Sequence, residues 1–531
     1  MCVVRLFHVV ARSGGTLRNA LRWIATSIVV ATVVAGCSKV KKQQRRLTEP
    51  AQVATIDRKS PFIKAHMRDG AIYILSPWSF DAAARTVSGQ GERLDANRTP
   101  VGNGAHVVPL DSVALFETNV VSTHGSVAAL AVVTGASLAL TAICLTTPKA
   151  CFGSCPTFYV SDGTRSVLEA EGFSASVAPA LEATDIDALY RARPASRMFE
   201  VHMTNEALET HVVRWARVLA APRPEHGRVF ATQSGEFWHA REIVAPHRCS
   251  ASEGDCLGTV RTVDGVERFS TTDSTDLATR ETIDLEFPIA SGDRLGLVIG
   301  SRQTLLSTYL LYQALSYMGR SAGQWLATLQ RGDIRVREQS QSLGRVLGGI
   351  EVQALDSSDG WITVGQTQET GPLASDVRVV PLPRLRPGTT RLRLRLTRGH
   401  WRIDYLALAR LTDRVSPVRL DPVMVRRGKT VDPQALALLN DSSRTLVALP
   451  GDEYTLVYRL PEDFARYELF LESRGYYLEW MRQEWLTEED PARAMMMFLR
   501  PSDALRALAP EFKAREADME AAFWRSRYVR H

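Results

Sequence analysis

"TRLRLRLTRGHWRIDYLALARL", residues 390–411, decides the fold class of this 531-residue chain. Leu392, Leu394 and Leu396 alternate with Arg391, Arg393 and Arg395. That two-residue period puts leucines on one face of a strand and arginines on the other. Gly399 interrupts, and "WRIDYLALARL" resumes as a second apolar-rich run, so the spacing predicts a hairpin. The same signature recurs along the chain. "PFIKAHMRDGAIYIL" (61–75) reads as two strands joined at Asp69-Gly70, and "TFYVSDGTRSVLEA" (157–170) as a hairpin around Asp162-Gly163. "RTVSGQGERL", "GAHVVPL", "SVALFET", "ETIDLEFPI", "DRLGLVIG", "GDEYTLVYRL" and "RYELFLESRGYYLEWM" add further strands.

Helical patterns are few. "RQTLLSTYLLYQALSYM" (302–318) is long and apolar without strand punctuation and ends at Gly319; "AGQWLATLQRG" reads as a second helix. "DPARAMMMFLR" and "APEFKAREADMEAAFWRSRY" close the chain, with Pro510 expected near a helix start. The fold class is therefore mainly β (α+β): several antiparallel β modules or sandwiches with a few helices. The expected division is a small antiparallel module at 61–122, an apolar helix at 123–147, a β domain at 148–300 and a helical pair at 301–332. A β-sandwich at 333–412, a β module at 413–487 and a helical tail at 488–531 complete it. The pattern of 333–412 resembles galactose-binding-type jelly rolls.

The N-terminus reads as an export signal. Residues 1–22 hold Arg5, Arg12, Arg18 and Arg22 and no acid, and "WIATSIVVATVV" (23–34) is a short apolar run. "Val34-Ala35-Gly36-Cys37" resembles a bacterial lipobox. The resemblance implies that 1–36 is removed and that Cys37 carries lipid, tethering the mature chain to the cell envelope. Ser38 stands where an Asp would favour the inner membrane, so the expected address is the outer membrane. "KVKKQQRR" (39–46) then reads as part of a basic polar tether, 37–60. Without residues 1–36 the chain carries 60 basic against 58 acidic residues, near neutrality, which is no nucleic-acid signature.

An exported chain meets oxidising conditions, where disulfides persist. Cys151 and Cys155 stand close together, as do Cys249 and Cys256, and local pairing is the simplest arrangement; crossed pairing is open on sequence alone. A redox pair or a four-cysteine zinc site is the alternative reading. "CFGSCPTFYVSDG" (151–163) also partly resembles a Cys-Phe-Gly-x-Cys-Pro signature of small exported domains, from which no activity follows. Residues 127–145, nineteen without a charge, permit either a membrane-associated helix or a buried one.

Chemistry is sparse. Gly319-Arg-Ser321-Ala-Gly323 fits the nucleophile-elbow pattern of α/β hydrolases, with His400 and Asp356 or Asp359 downstream. The plainer reading is a break between helices. His202, Glu206, Glu209 and His211 invite a metal reading, weighed against ordinary polar strand residues; on a strand Glu209 and His211 share a face, and on a helix Glu206 and Glu209 do. "TTDSTD" (271–276) has too few acids for calcium. The strongest binding candidate is the face of Arg391, Arg393 and Arg395 with His400, Trp401 and Arg402 at its turn. Arginine forks suit anions and Trp401 suits a sugar ring; the plainer reading is a solvated outer face. No metal or cofactor is implied. The expected role is binding or scaffolding in the cell envelope, with a glycan or envelope protein as partner besides the membrane. A serine hydrolase using Ser321, and a membrane assembly contacting through 127–145, are the alternatives.

Overall fold

The computed structural model describes residues 41–123 and 155–526, apart from 49, 59, 61, 68–70, 95–99, 206, 208, 291–293, 323–324, 326–337, 339–340, 356–358, 369–370, 386–388, 450 and 480–487. Cys37, Cys151, Glu206, Asp356 and the 127–145 run lie outside the described residues. Within them the chain is mainly β, arranged in five sheets with a cluster of helices.

The decisive stretch forms two strands, Thr389–Thr397 and Trp401–Val415, but they do not pair with each other. Thr389–Thr397 lies between Arg280–Ala290 and Ile350–Leu355. Trp401–Val415 lies between Leu295–Gln303 and Phe237–Val244. Each strand has a neighbour on both sides, so neither has a free edge for the other. The expected hairpin is instead an arch that carries the chain from one sheet to the sheet facing it. Gly399 makes the bend: its φ is +73°, and a Cβ there would lie 2.4 Å from Thr272 N. The arch brings Leu392, Leu394 and Leu396 against Trp401, Ile403, Leu406 and Leu408 in one core. A fully buried leucine contributes about 1.5–3 kcal/mol, so this layer dominates the sandwich. Trp401/Ile403 and Leu406/Leu408 share a face despite their odd spacing because the ladder bulges opposite Gly300/Ser301, skipping Asp404.

The sheet containing Trp401–Val415 closes on itself, since Phe237–Val244 pairs both with Arg228–Ala231 and with Trp401–Val415. Closure removes the exposed edges that would otherwise template aggregation. Strands from the expected regions 148–300 and 333–412 therefore share both sheets of one sandwich, spanning 228–415.

That sandwich is inserted into another. Thr157–Ser161, Ser166–Glu171 and Met198–Thr204 join Glu453–Arg459, Met424–Arg427 and Thr430–Val431 in one sheet. Glu209–Pro222 joins Tyr467–Glu479, Ala183–Ala188, Val418–Leu420 and Leu446–Ala448 in the sheet facing it. Phe158, Val201, Val218, Leu456 and Leu471 meet between the two sheets. The expected 413–487 module is thus the second half of this host sandwich. The chain leaves the host after Pro222 and rejoins it at Val418, which pairs with Ala220. The Asp162 turn between the first two strands forms as expected: its carboxylate accepts from Thr164 and Arg165 backbone N–H and from the Thr164 hydroxyl, which hold it well below the usual carboxylate range.

The N-terminal sheet holds the Ile63–Met67 and Ile72–Asp81 pair expected from sequence. Residues 41–48, expected within a polar tether, form a strand paired with Val113–Thr123. Leu306–Met318, Pro491–Leu499 and Pro501–Ser526 make a helical cap packed through Leu310, Leu315, Met497, Leu505, Phe512 and Phe523. Pro510, expected near a helix start, sits inside the last helix. A proline there costs about 3 kcal/mol, offset by burial of Leu505, Leu508, Ala509 and Phe512 on either side. Among the described residues no helix is long and apolar enough to cross a membrane.

Candidate functional site

The arginine face is neutralised by its neighbours. Arg393 donates to both oxygens of Asp284 at 2.6 and 3.0 Å and stacks over Trp361 at 4.4 Å. Arg395 pairs with Glu351 at 3.2 Å and Arg391 approaches Glu286 at 3.7 Å. Cross-strand opposite charges of this kind are ordinary sheet stabilisation. Arg402 pairs with Glu520 of the last helix at 3.0 Å. Trp401 is 1% exposed and lies in the sandwich core, so it is no surface platform. Arg391, Arg393 and Arg395 share one face of their strand, but His400 and Trp401 are buried and Arg402 lies on a strand of the other sheet, so the six do not form one face.

Ser321 follows a helix, not a strand. It ends the one-turn Gly319–Ser321 helix, and its Oγ donates to Met318 O at 2.7 Å. The strand-to-helix turn that exposes an elbow serine is therefore missing at this position. His202 bonds Thr455 Oγ1 at 3.0 Å, on the strand opposite. Asp273 caps its own loop by accepting from Thr275 and Asp276. Among the described residues no group of three or more His, Cys, Asp or Glu could hold a metal. Cys249 and Cys256 are bonded to each other, with Cα atoms 5.1 Å apart. Cys155 is buried, just before the first host strand, Thr157–Ser161.

A different site emerges where three parts meet. A cleft of about 810 Å³ opens between the host sandwich, the arch end of the inserted sandwich and the helical cap. Its volume falls within the range of small-molecule sites, about 300–1,000 Å³. One wall is apolar: Leu310, Ala314 and Met318 from the cap, with Trp325 stacked on Phe498 at 5.1 Å. Polar side chains complete the lining: Glu171, Glu209, Tyr477 and Glu479 from the host, with Gln303 and His400 from the insert.

Register builds the polar part of the lining. Glu209 begins its strand directly opposite Glu479, so the two carboxyl groups project from the same face. Both are buried, at 1% and 7% exposure. Each has a local hydrogen bond: His211 Nε2 lies 2.7 Å from Glu209 Oε1, and Tyr312 donates to Glu479 Oε1 at 2.7 Å. Glu171 accepts from the backbone N–H of Leu373 at 2.7 Å, tying the host to the insert. His400 is buried beside Gln303, 3.3 Å between Nε2 atoms, and its Nδ1 has no hydrogen-bond partner among the described residues. Burial, with Arg280 nearby, pushes its pKa down to about 3, so the imidazole is neutral at physiological pH.

Of these residues, sequence reading singled out Glu209, His211 and His400. Glu171, Gln303 and Glu479 carried no local signal; only the strand register unites them.

No protein-family model and no curated protein matches this chain. Among solved structures, a β-porphyranase of glycoside hydrolase family 86 from the human gut bacterium Bacteroides plebeius aligns at 7% identity and TM-score 0.16. The alignment covers 43% of this chain and 37% of that one. A GH31 α-xylosidase from Xanthomonas citri aligns at 8% identity and TM-score 0.14, covering 81% of this chain and 38% of its own. Likeness of this degree carries neither fold nor activity across.

Proposed function

We propose that this is a cell-envelope lipoprotein, tethered through Cys37, that binds a glycan or an envelope partner. The observation that carries the binding reading is the cleft at the junction of two β-sandwiches and a helical cap, lined by both apolar and hydrogen-bonding side chains. The Cys249–Cys256 bridge supports an oxidising compartment. The outer membrane is the proposed address. Ser321 does not support hydrolysis, because its hydroxyl is held by the Met318 carbonyl at the end of a helix.

The test has two readouts. Metabolic labelling with a radioactive fatty acid is expected to mark the wild-type chain and not Cys37→Ser, with the label in the outer-membrane fraction. Purified protein lacking 1–37 is expected to sediment with cell-wall glycan or membrane fragments from its own cells. An unlabelled wild type overturns the tether, and a protein that stays in the supernatant with both preparations overturns the binding role.

A further inference from the structure

We infer that the outer edge of the N-terminal sheet, the strand Lys41–Thr48, is a docking surface for an anionic lipid bilayer. This rests on the proposed tether at Cys37 and adds an electrostatic contact to it. Three observations converge. The first is excess charge. Lys41, Lys42, Arg45 and Arg46 stand in one strand that holds no acid. The register sets them opposite Thr123, Ser122, Asn119 and Thr118. Their partner strand, Val113–Thr123, holds one acid, Glu117, opposite Leu47. Glu117 is buried and already takes Lys64 at 3.3 Å and His66 at 3.0 Å. Even counted wholly against Lys41–Thr48, that one carboxylate leaves three of the four positive charges over. The insert is built the other way: Arg391, Arg393 and Arg395 have Glu286, Asp284 and Glu351 directly across their ladders.

The second is position. Among the described residues Lys41–Thr48 is the outermost strand of its sheet, paired on one side only. Alternation places Lys41 and Arg45 on one face of the sheet and Lys42 and Arg46 on the other. The free edge, and neither face alone, therefore collects all four. Eight residues of strand make a line of charge roughly 25 Å long. A flat field of phosphates matches such a line along its whole length. Each basic residue beside an anionic leaflet strengthens partition roughly fivefold.

The third is reach. Cys37 lies four residues before Lys41. Four residues extend at most about 14 Å. A lipid on Cys37 thus holds the start of the strand within about two Debye lengths of the headgroups at physiological salt. The bilayer is the charged surface that is always within range, whereas a soluble anion has to be met by diffusion. Thr123, from which the chain continues towards the uncharged run 127–145, is the residue paired with Lys41. The two stretches whose sequence suits a bilayer therefore join the sheet at the same end.

The experiment is flotation of the chain from Ser38 onward, which carries no lipid. The probes are vesicles of phosphatidylcholine alone, or of phosphatidylcholine with one third phosphatidylglycerol. The wild-type sequence is expected to float with the anionic vesicles at about 0.05 M salt, to be released at about 0.5 M, and to stay down with the neutral ones. Reversing the edge, Lys41→Glu with Lys42→Glu, Arg45→Glu and Arg46→Glu, is expected to weaken partition at least a hundredfold. Reversal keeps the edge charged and so keeps its guard against edge-to-edge aggregation, the plainer role of basic residues there. The same reversal at four exposed sites elsewhere, Arg241, Arg261, Arg384 and Lys429, is expected to cost less than tenfold. Melting curves identify any variant that fails to fold. Lys41→Gln with Lys42→Gln, at the end of the strand, is the milder variant, expected to weaken partition about tenfold. No flotation at low salt, equal flotation with neutral vesicles, or folded edge variants that float like the wild type overturn the docking surface. An equal loss in the control overturns it too, by tracing the attraction to net charge. Fatty-acid labelling of Cys37 decides the tether separately, so an unlabelled Cys37 with flotation intact removes the anchor and leaves the surface.

Discussion

The two sandwiches are built from similar strands but close in opposite ways. The insert is contiguous, 228–415, and its first and last long strands pair directly, Phe237–Val244 with Trp401–Val415. The host is split: its longest pairing joins Glu209–Pro222 to Tyr467–Glu479 across the whole insert. One sandwich is complete within a local stretch, and the other needs both ends of the chain. The difference explains how an insertion of this size is tolerated, because the chain leaves and returns at adjacent points of one sheet, Ala220 beside Val418.

The joint between them offers the largest perturbation. Arg378 of the insert donates to Asp376 and to Asp185 of the host, the latter at 3.0 Å. Asp187 stands close by, and burial raises the pKa of both Asp185 and Asp187. Arg378→Met leaves these acids without their cation. Urea unfolding is expected to show a loss of about 3–5 kcal/mol, the range for breaking a buried pair. A loss under 1 kcal/mol would mean that this ion pair contributes little to the joint.

Core truncations sharpen the contrast. Leu394→Ala in the insert and Leu471→Ala in the host are each expected to cost about 2–5 kcal/mol. Hydrogen exchange is the discriminating measurement. Leu394→Ala is expected to speed exchange in 280–290 and 350–355 while sparing 467–479. Uniform acceleration would make the two sandwiches one cooperative unit.

Smaller effects come from the insert's own fasteners. Cys249→Ser with Cys256→Ser opens a loop with a sequence separation of 7, and is expected to cost about 2 kcal/mol by chain entropy, confined to the insert. His400→Gln is expected to change little at pH 7. The folded state depresses His400 from 6.5 to about 3, so its contribution is full above 6.5 and is lost as pH falls through that window. The wild type should therefore lose stability relative to His400→Gln as pH drops from 6.5 towards 3. Parallel pH profiles would show that the burial of His400 is not what its surroundings imply.

Much of the β content was legible because alternation is local. Leu392, Leu394 and Leu396 announce a strand with one buried face, and Asp162-Gly163 announces its turn. The path of the chain beyond a turn was not legible. The same Gly399 signal serves a hairpin or an arch, and the choice depends on whether strands far away in sequence already occupy both edges. Cys249 and Cys256 were readable for the same local reason as the strands. The cleft was not: Glu209 and Glu479 meet only through a register set over the whole length of two distant strands, with a bulge between Val213 and Trp215. His400 and Trp401 were read as exposed because they sit at a turn, where the facing sheet and the C-terminal helix bury them.

The split of the host sandwich sets an order in time. Glu209–Pro222 is synthesised long before its main partner, which pairs Tyr467 with Pro222 and Glu479 with Glu209. At synthesis rates of about 5–20 residues per second, that strand waits roughly ten to fifty seconds with its longest edge unpaired. Through that interval the insert can complete its own sheets, and the half-built host is the surface that other chains, or a chaperone, would meet first.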